Sequence, residues 1–545
     1  MKTLRQGNRS QRSPSNPLGQ LGRRLQATLV AISLATVSGA PPVRAAVEAP
    51  IEAPINYLSQ APGIGGACER SPQALLDGIL TDPQLKRSHW GILVQPLPAA
   101  SDRDATLSTP WVSHNADQFF NPASNAKLLT TAAILTQLGD NHAVVTSLFL
   151  DPSPDPSPDP SPSSSPNLWL YTLGDPTLDQ PVLNRFARVV KQEGIPAIDT
   201  LWVEAKDIGL TQEGRISSWE WGDLPFGYGT PASTAILNNN RVVLELTGTQ
   251  PGELAQVSSS DAIALQQWDI NNQVITAPAG DESSPITITP GWPNRLHLRG
   301  TIPPGERDKT TLAIPNPAQY LGDSFKHALE QQGIPVAQVR VSSGNRVQPH
   351  QVGLNVHASP LTGELIDTIN QFSNNLYAEV LLGWLSFSVP SEIGSPAARS
   401  RTALDEALAE LGIPPDSYRI ADGSGLSRQN LITPQALVTL LDGMWRSPES
   451  LAFQRSLPIA GETGTLINRF KDTPLQGKLI AKTGTLTGVS ALSGYFPHED
   501  SQTWVAFSIL VNHSNQPASV LRQAMDDLLV AIAETPRHCL ASPQP

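Results

Sequence analysis

Ser124-Asn125-Ala126-Lys127, Ser373-Asn374-Asn375 and Lys482-Thr483-Gly484-Thr485 follow one another along a chain of 545 residues. Together they supply an activated serine, a proton relay and a carboxylate anchor. A chain that uses all three in one site must fold its two ends together. Ser-x-x-Lys sets a hydroxyl and an amine at i and i+3, on one face of a helix. A serine hydroxyl is a poor nucleophile until a neighbouring base takes its proton, and a desolvated lysine can be that base. Of the ten lysines, only Lys127 follows a serine by three residues and only Lys482 opens a Lys-Thr-Gly. Each motif is weak alone; their order makes them strong.

The pattern between the motifs agrees with a domain built from both ends. Helices are expected at 71–80, 124–138, 361–372, 375–385, 401–411, 434–445 and 518–534, where apolar residues recur at helical spacing. Strands are expected at 90–97, 478–483, 490–496 and 503–512, the last three as neighbours. Ser124 then sits in the first turn of its helix, where unpaired backbone N–H groups and the dipole favour an oxyanion. The middle of the chain mixes strands (146–150, 167–173, 201–205, 241–246, 294–300) with helices at 181–193 and 318–332. Residues 151–166 read DPSPDPSPDPSPSSSP. Repeated proline forbids ladder hydrogen bonds, so this is an extended surface loop at a swollen hairpin tip.

Charge and cysteines narrow the setting. Fifty prolines and forty glycines in a chain of this length imply several domains and many loops. A net charge of −12 argues against nucleic acid as a partner, since no basic face is there to neutralise phosphates. Arg23-Arg24 precede an apolar, small-residue run from Leu25 to Ala40, with Val43-Arg44-Ala45 or Arg44-Ala45-Ala46 as a cleavage site. Residues 1–46 therefore read as an export signal, followed by a Pro/Ala/Gly linker over 47–67. Gly22 and Gln26 make the arginine pair a poor twin-arginine match. No stable transmembrane anchor is expected after signal removal, which points to an exported, periplasmic protein. In an oxidising compartment Cys68 and Cys539 could pair and tie the ends together; the alternative is two unrelated thiols.

On these residues the chain resembles the serine D-Ala-D-Ala carboxypeptidases, specifically the type-C low-molecular-mass penicillin-binding proteins. The resemblance runs from about Ser71 to Asn512. It includes Gly174-Asp175-Pro176, Pro231-Ala232-Ser233 and Asp422-Gly423-Ser424-Gly425-Leu426-Ser427-Arg428. It implies an α/β (α+β) fold: a penicillin-binding, β-lactamase-like transpeptidase domain with an antiparallel sheet and helices. That domain would comprise 68–140 and 350–545, and a long, mixed, β-rich insert over 141–349 would form two small accessory domains. The implied partners are peptidoglycan stem peptides, with β-lactam antibiotics as inhibitors and no cofactor or metal.

The resemblance also implies roles. Ser124 would attack the carbonyl of the penultimate D-alanine with Lys127 as base, and the N–H groups of Ser124 and Thr485 would form the oxyanion hole. Ser373 would relay a proton towards the leaving amine, and Asn375 would hold the substrate amide and Lys127. Lys482, Thr483 and Thr485 would fix a terminal carboxylate, and Gly484 would let the strand approach the ligand. Asn374 replaces the Asp that relatives often carry, at a position that is not catalytic. Asp223 and Tyr228 match insert positions that reach the site, where Asp223 could pair with a free ammonium of the stem peptide or stand as an exposed loop aspartate. Arg428 and Thr487 are candidate peptide contacts, with an ion pair as the alternative for Arg428.

Other chemistries fit less well. The ten histidines show no HExxH or paired-ligand spacing, which speaks against a zinc peptidase. A β-lactamase needs a second base for its deacylating water; Glu379, four residues after Asn375 on an expected helix, reads as structural. A non-catalytic peptidoglycan-binding scaffold would not need the full relay.

Overall fold

The computed structural model describes residues 72–99, 106–151, 165–206, 208, 218–278, 280, 284–344, 351–498 and 503–540. The expected signal, the linker, Cys68 with its pairing to Cys539, and most of the proline-rich 151–166 loop lie outside them. The first described elements are α1 (Pro72–Thr81), β1 (His89–Pro96), β2 (Val112–His114) and α2 (Ala126–Leu138). An insert follows, with β3 (Val145–Asp151), β4 (Asn167–Tyr171), α3 (Gln180–Gln192), β5 (Ile198–Glu204), β6 (Arg241–Thr247) and β7 (Gln256–Ser258). It continues through α4 (Ala262–Leu265), β8 (Asp269–Thr276), β9 (Thr287–Gly291), β10 (Arg295–Ile302), β11 (Arg307–Ala313), α5 (Pro317–Gln331), β12 (Val336–Ser342) and β13 (Val352–Ala358). Then come α6 (Thr362–Gln371), α7 (Asn375–Trp384), α8 (Pro396–Glu410), β14 (Tyr418–Arg419), β15 (Leu431–Ile432), α9 (Pro434–Arg446) and α10 (Ser450–Ser456). Strands β16 (Ile480–Leu486), β17 (Val489–Pro497) and β18 (Trp504–Asn512) lead to α11 (Ala518–Glu534).

Both ends of the chain build one five-stranded antiparallel sheet, in the order β16-β17-β18-β1-β2. The seam between the ends is β1 on β18, with His89 opposite Asn512 and Pro96 opposite Val505. Period-two alternation splits the side chains of β18 between two cores. Val505, Phe507, Ile509 and Val511 pack with α1 and α11 on one face. Ala506 and Leu510 face the other, against the helices that carry the site. Within that second layer α2 is buried at every position from Ala126 to Leu135, as expected of a helix surrounded by partners.

The insert has its own buried cluster, to which α3 and α5 contribute Leu183, Phe186, Leu321 and Phe325. Its larger sheet runs β12-β5-β4-β3-β13, with two three-stranded sheets, β8-β10-β9 and β11-β6-β7, beside it. The expected hairpin strands do pair, Ser147 opposite Tyr171. Strand β13 returns to β3, so the insert's sheet runs on to Ala358, past the expected boundary at 349. Two other expectations shift. Helix α8 starts at Pro396 rather than 401, because the Ser395 hydroxyl accepts from the Ala398 N–H and proline occupies the first turn. Strand β16 runs to Leu486, so Lys482 to Thr485 lie inside the strand.

Candidate active site

Ser124 sits in a single 3-10 turn, Ala123–Asn125, that runs directly into α2. Ala123 before it has φ +45°, a left-handed conformation unusual for a residue with a side chain. Its neighbours hold that turn in place. The Asn121 carboxamide oxygen accepts from the Ala123 N–H (2.9 Å). Asn125 is fully buried; its amide nitrogen donates to the Lys482 carbonyl (2.9 Å) and its oxygen accepts from the Ser493 hydroxyl (2.7 Å). One side chain thus ties the serine turn to β16 and β17. Ser373 is also left-handed, at φ +54°, in the junction between α6 and α7. Asn374 caps α7 by accepting from the Tyr377 N–H.

The three motifs converge. Lys127 is fully buried, and its Nζ lies 3.1 Å from Ser124 Oγ, 2.7 Å from Asn375 Oδ1 and 2.5 Å from the Ser424 carbonyl. Lys482 is fully buried too; its Nζ donates to Ser373 Oγ (3.0 Å) and to the Thr483 carbonyl (2.9 Å). Burial lowers the Lys127 amine to a pKa of about 7, although Asp422 and Glu379 pull it upward. Desolvation therefore outweighs two carboxyl groups. The Lys482 amine is also held well below its ordinary value, by burial and then by Lys127. The site thus combines a nucleophile, an amine poised to accept its proton near neutrality and a second amine beside a hydroxyl.

Close backbone approaches need glycine at two points. A Cβ on Gly484 would stand 2.8 Å from the Pro122 carbonyl and 3.0 Å from the Ser124 nitrogen. On Gly425, at φ +83°, it would lie 1.9 Å from the Ala123 carbonyl. Gly425→Ala is expected to cost about 1–2 kcal/mol for the left-handed conformation alone. The backbone clash adds to that, since Ala123 or the 422–427 loop must move. A melting temperature lower by several degrees and slower acylation of Ser124 are expected; an alanine variant matching wild type in both would show that the loop does not brace the serine.

Several site residues have no role that their sequence alone assigns. The Ser424 carbonyl that receives Lys127 is backbone. Asp422 beneath it is fully buried and accepts from the N–H groups of Gly425 and Ser427, the Asn430 amide, the Ser424 hydroxyl and the Trp219 indole. Thr465 accepts from the Thr483 hydroxyl (2.8 Å), and Arg522 donates to the Thr485 hydroxyl (3.3 Å).

The residues expected from the insert divide. Asn375 Nδ2 donates to the Tyr228 carbonyl (2.9 Å), which joins the insert loop to the site. The Tyr228 hydroxyl donates to Asp223 Oδ1 (3.0 Å); burial raises the pKa of both groups. Arg428 stands in an exposed ion pair: its guanidinium pairs with Glu220 at 2.6 Å and donates to the Thr487 carbonyl at 3.2 Å. Thr487 enters through its backbone alone. That ion pair is exposed, and such pairs are worth at most about 1 kcal/mol.

The sequence profile of the D-Ala-D-Ala carboxypeptidase 3 (S13) family matches residues 73–532. A D-alanyl-D-alanine carboxypeptidase of Actinomadura sp. (strain R39) is 30% identical over 509 residues, covering 89% of each chain. A penicillin-sensitive carboxypeptidase A of Dictyostelium discoideum is 29% identical, covering 85% of this chain and 91% of the relative. The crystal structure of penicillin binding protein 4 (dacB) from Haemophilus influenzae shares the fold, with a TM-score of 0.71 at 23% identity over 85% of this chain and 99% of that one.

Proposed function

We infer from one premise, that this chain belongs to the D-Ala-D-Ala carboxypeptidase 3 (S13) family, that it is a serine D-alanyl-D-alanine carboxypeptidase. The observation that carries the reading is the buried Lys127 amine 3.1 Å from Ser124 Oγ. Ser124 Oγ attacks the carbonyl carbon of the penultimate D-alanine as its proton passes to Lys127 Nζ. The N–H groups of Ser124 and Thr485 receive the oxyanion; one such donor is worth about 2.7–4 kcal/mol in the transition state. As the C–N bond breaks, Ser373 returns a proton to the leaving D-alanine, and water then hydrolyses the ester. Lys482 with the hydroxyls of Thr483 and Thr485 anchors the terminal carboxylate, and a β-lactam enters the same cradle. A cross-linked diamino acid as leaving group makes the same chemistry an endopeptidase.

The catalytic unit in this reading is 68–140 with the chain after about residue 358, and the accessory part runs from 141 through β13. The natural setting is the periplasm, reached through the 1–46 signal. Among the described residues no helix is long and apolar enough to cross a membrane. Asp223 is the group suited to a free ammonium on the stem peptide, since its partly buried carboxyl accepts from the Tyr228 hydroxyl and forms no ion pair among the described residues. The β-lactamase reading has little support, because Glu379 is fully buried with one oxygen on the Ser424 N–H, away from bulk water.

The test is D-alanine release from a soluble pentapeptide ending in D-Ala-D-Ala, with and without equimolar benzylpenicillin. Release that penicillin blocks through a lasting adduct is expected. Neither release nor adduct would favour a non-catalytic scaffold, and an adduct that decays as penicillin is consumed would favour a β-lactamase. The same assay reads the base. Lys127 accepts a proton only when neutral, so kcat/KM should be flat above about pH 7.5 and fall about tenfold per unit below about 6.5. A profile that stays flat to pH 5 would remove Lys127 from that role.

A further inference from the structure

Glu379 lies one helical turn beyond Asn375 on α7, so both side chains point to the same side of the helix. Both reach the surroundings of Lys127, yet the mechanism above uses only Asn375. The Glu379 carboxyl has no solvent exposure. Its Oε1 accepts from the Ser424 N–H at 2.7 Å, while Oε2 has no hydrogen-bond partner among the described residues. Ser424 is held at three points: its N–H on Glu379, its hydroxyl on Asp422 (3.1 Å) and its carbonyl on Lys127 (2.5 Å). A half-satisfied buried carboxyl is costly to retain. Its position behind the base is therefore the feature to explain.

We propose that Glu379 is a positioning residue for the general base: it pins Ser424, whose carbonyl receives Lys127. The proposal rests on Lys127 being the base. In acylation the Ser124 proton moves to Lys127 Nζ as the Oγ–carbon bond forms, so the amine becomes an ammonium. A carbonyl held at 2.5 Å stabilises that ammonium in a dry interior. The charged groups facing this pair are Asp422 from the 422–427 loop and Lys482 from β16. Asp422 already accepts from five donors, four from 424–430 and one from Trp219, and Lys482 carries the same sign as Lys127. Burial, followed by Asp422, raises the Glu379 carboxyl to a pKa of about 8, close to that of the amine it serves. The carboxyl is therefore uncharged where the amine titrates, and it acts on Lys127 through Ser424.

The test measures the benzylpenicillin acylation rate of the full chain against pH for wild type, E379Q and E379A. Glutamine keeps an acceptor oxygen for the Ser424 N–H but cannot carry charge. E379Q should therefore fold, bind penicillin with unchanged noncovalent affinity, and keep the wild-type acid limb and a plateau rate within about threefold of wild type, since the carboxyl is already uncharged below about pH 8. E379A also frees Ser424, and its plateau rate should fall about 10- to 100-fold. An E379A plateau equal to wild type would overturn the proposal, as would an E379Q plateau as low as that of E379A, because the acceptor for the Ser424 N–H would then not matter. A wild-type limb far from pH 7 would count instead against Lys127 as the base, so the two failures are distinct.

Discussion

Ser124→Ala is expected to abolish covalent capture of benzylpenicillin and to reduce D-alanine release by at least about 10⁴-fold, with the fold intact. The magnitude follows from the chemistry, since removal of the nucleophile leaves only binding and the oxyanion donors to assist water. The fold should survive because the Ser124 side chain is partly exposed and its hydrogen bond is the one it shares with Lys127. Lys127 keeps two other acceptors, Asn375 Oδ1 and the Ser424 carbonyl. Intact-mass spectrometry after mixing with benzylpenicillin gives the readout, with thermal unfolding as the control. A variant that still gains the penicillin mass, mapped to another residue, would sink the nucleophile assignment.

The second large effect is expected at Lys127. Lys127→Met replaces the amine with an apolar side chain of similar length, which the buried site can accommodate. Acylation should slow by about 10²–10⁴-fold, the usual contribution of a positioned general base. The acid limb near pH 7 should vanish with it, because the group that titrates there is gone. Stability gives an independent readout. The folded-state pKa of Lys127 is about 7, below the roughly 10.4 of an unfolded lysine. Between those values the unfolded chain holds the extra proton, so rising pH stabilises wild type relative to the variant by up to about 1.4 kcal/mol per unit. The gain is absent below about pH 7 and complete above about 10. A stability difference that stays constant over that range would show that Lys127 is not depressed by burial.

The chemistry-bearing residues were legible in sequence because they combine a residue type with a local spacing. Ser124 with Lys127, and Lys482 with the threonines beside it, are pairs that a helix or strand presents together whatever surrounds them. The supports were not legible. Asn125 acts through the Lys482 carbonyl and a serine on β17, and Lys127 rests on the carbonyl of Ser424. Backbone partners leave no mark on composition. Asp422 stood in a recognised stretch without a role, because its five donors come from its own loop and from Trp219 in the insert. Glu379 was read as structural because an acid inside an apolar helix gives no sign of what faces it. Among the elements, α8 was shortened because apolar spacing was weighed above the Ser395-Pro396 cap. The insert's strands were the least complete: 294–300 anticipates β10, but β8, which pairs with it in parallel, lies half exposed and lacks a regular apolar alternation.

The seam between β1 and β18 also sets an order of events during synthesis. Strand β1 leaves the ribosome early, yet its partner on one side is among the last strands made. The insert is different: each of its sheets is complete once residues up to 358 have emerged. Its shorter-range pairings can therefore form while β1 still has an open edge, and long-range strand pairing is intrinsically the slower step. Over that interval the hydrophobic face of β1 is an aggregation hazard, and the serine turn has no β16 against which to set its geometry. A fragment that ends before residue 504 can contain the nucleophile, the base and Lys482, and still lack the strand that joins the two halves of the sheet.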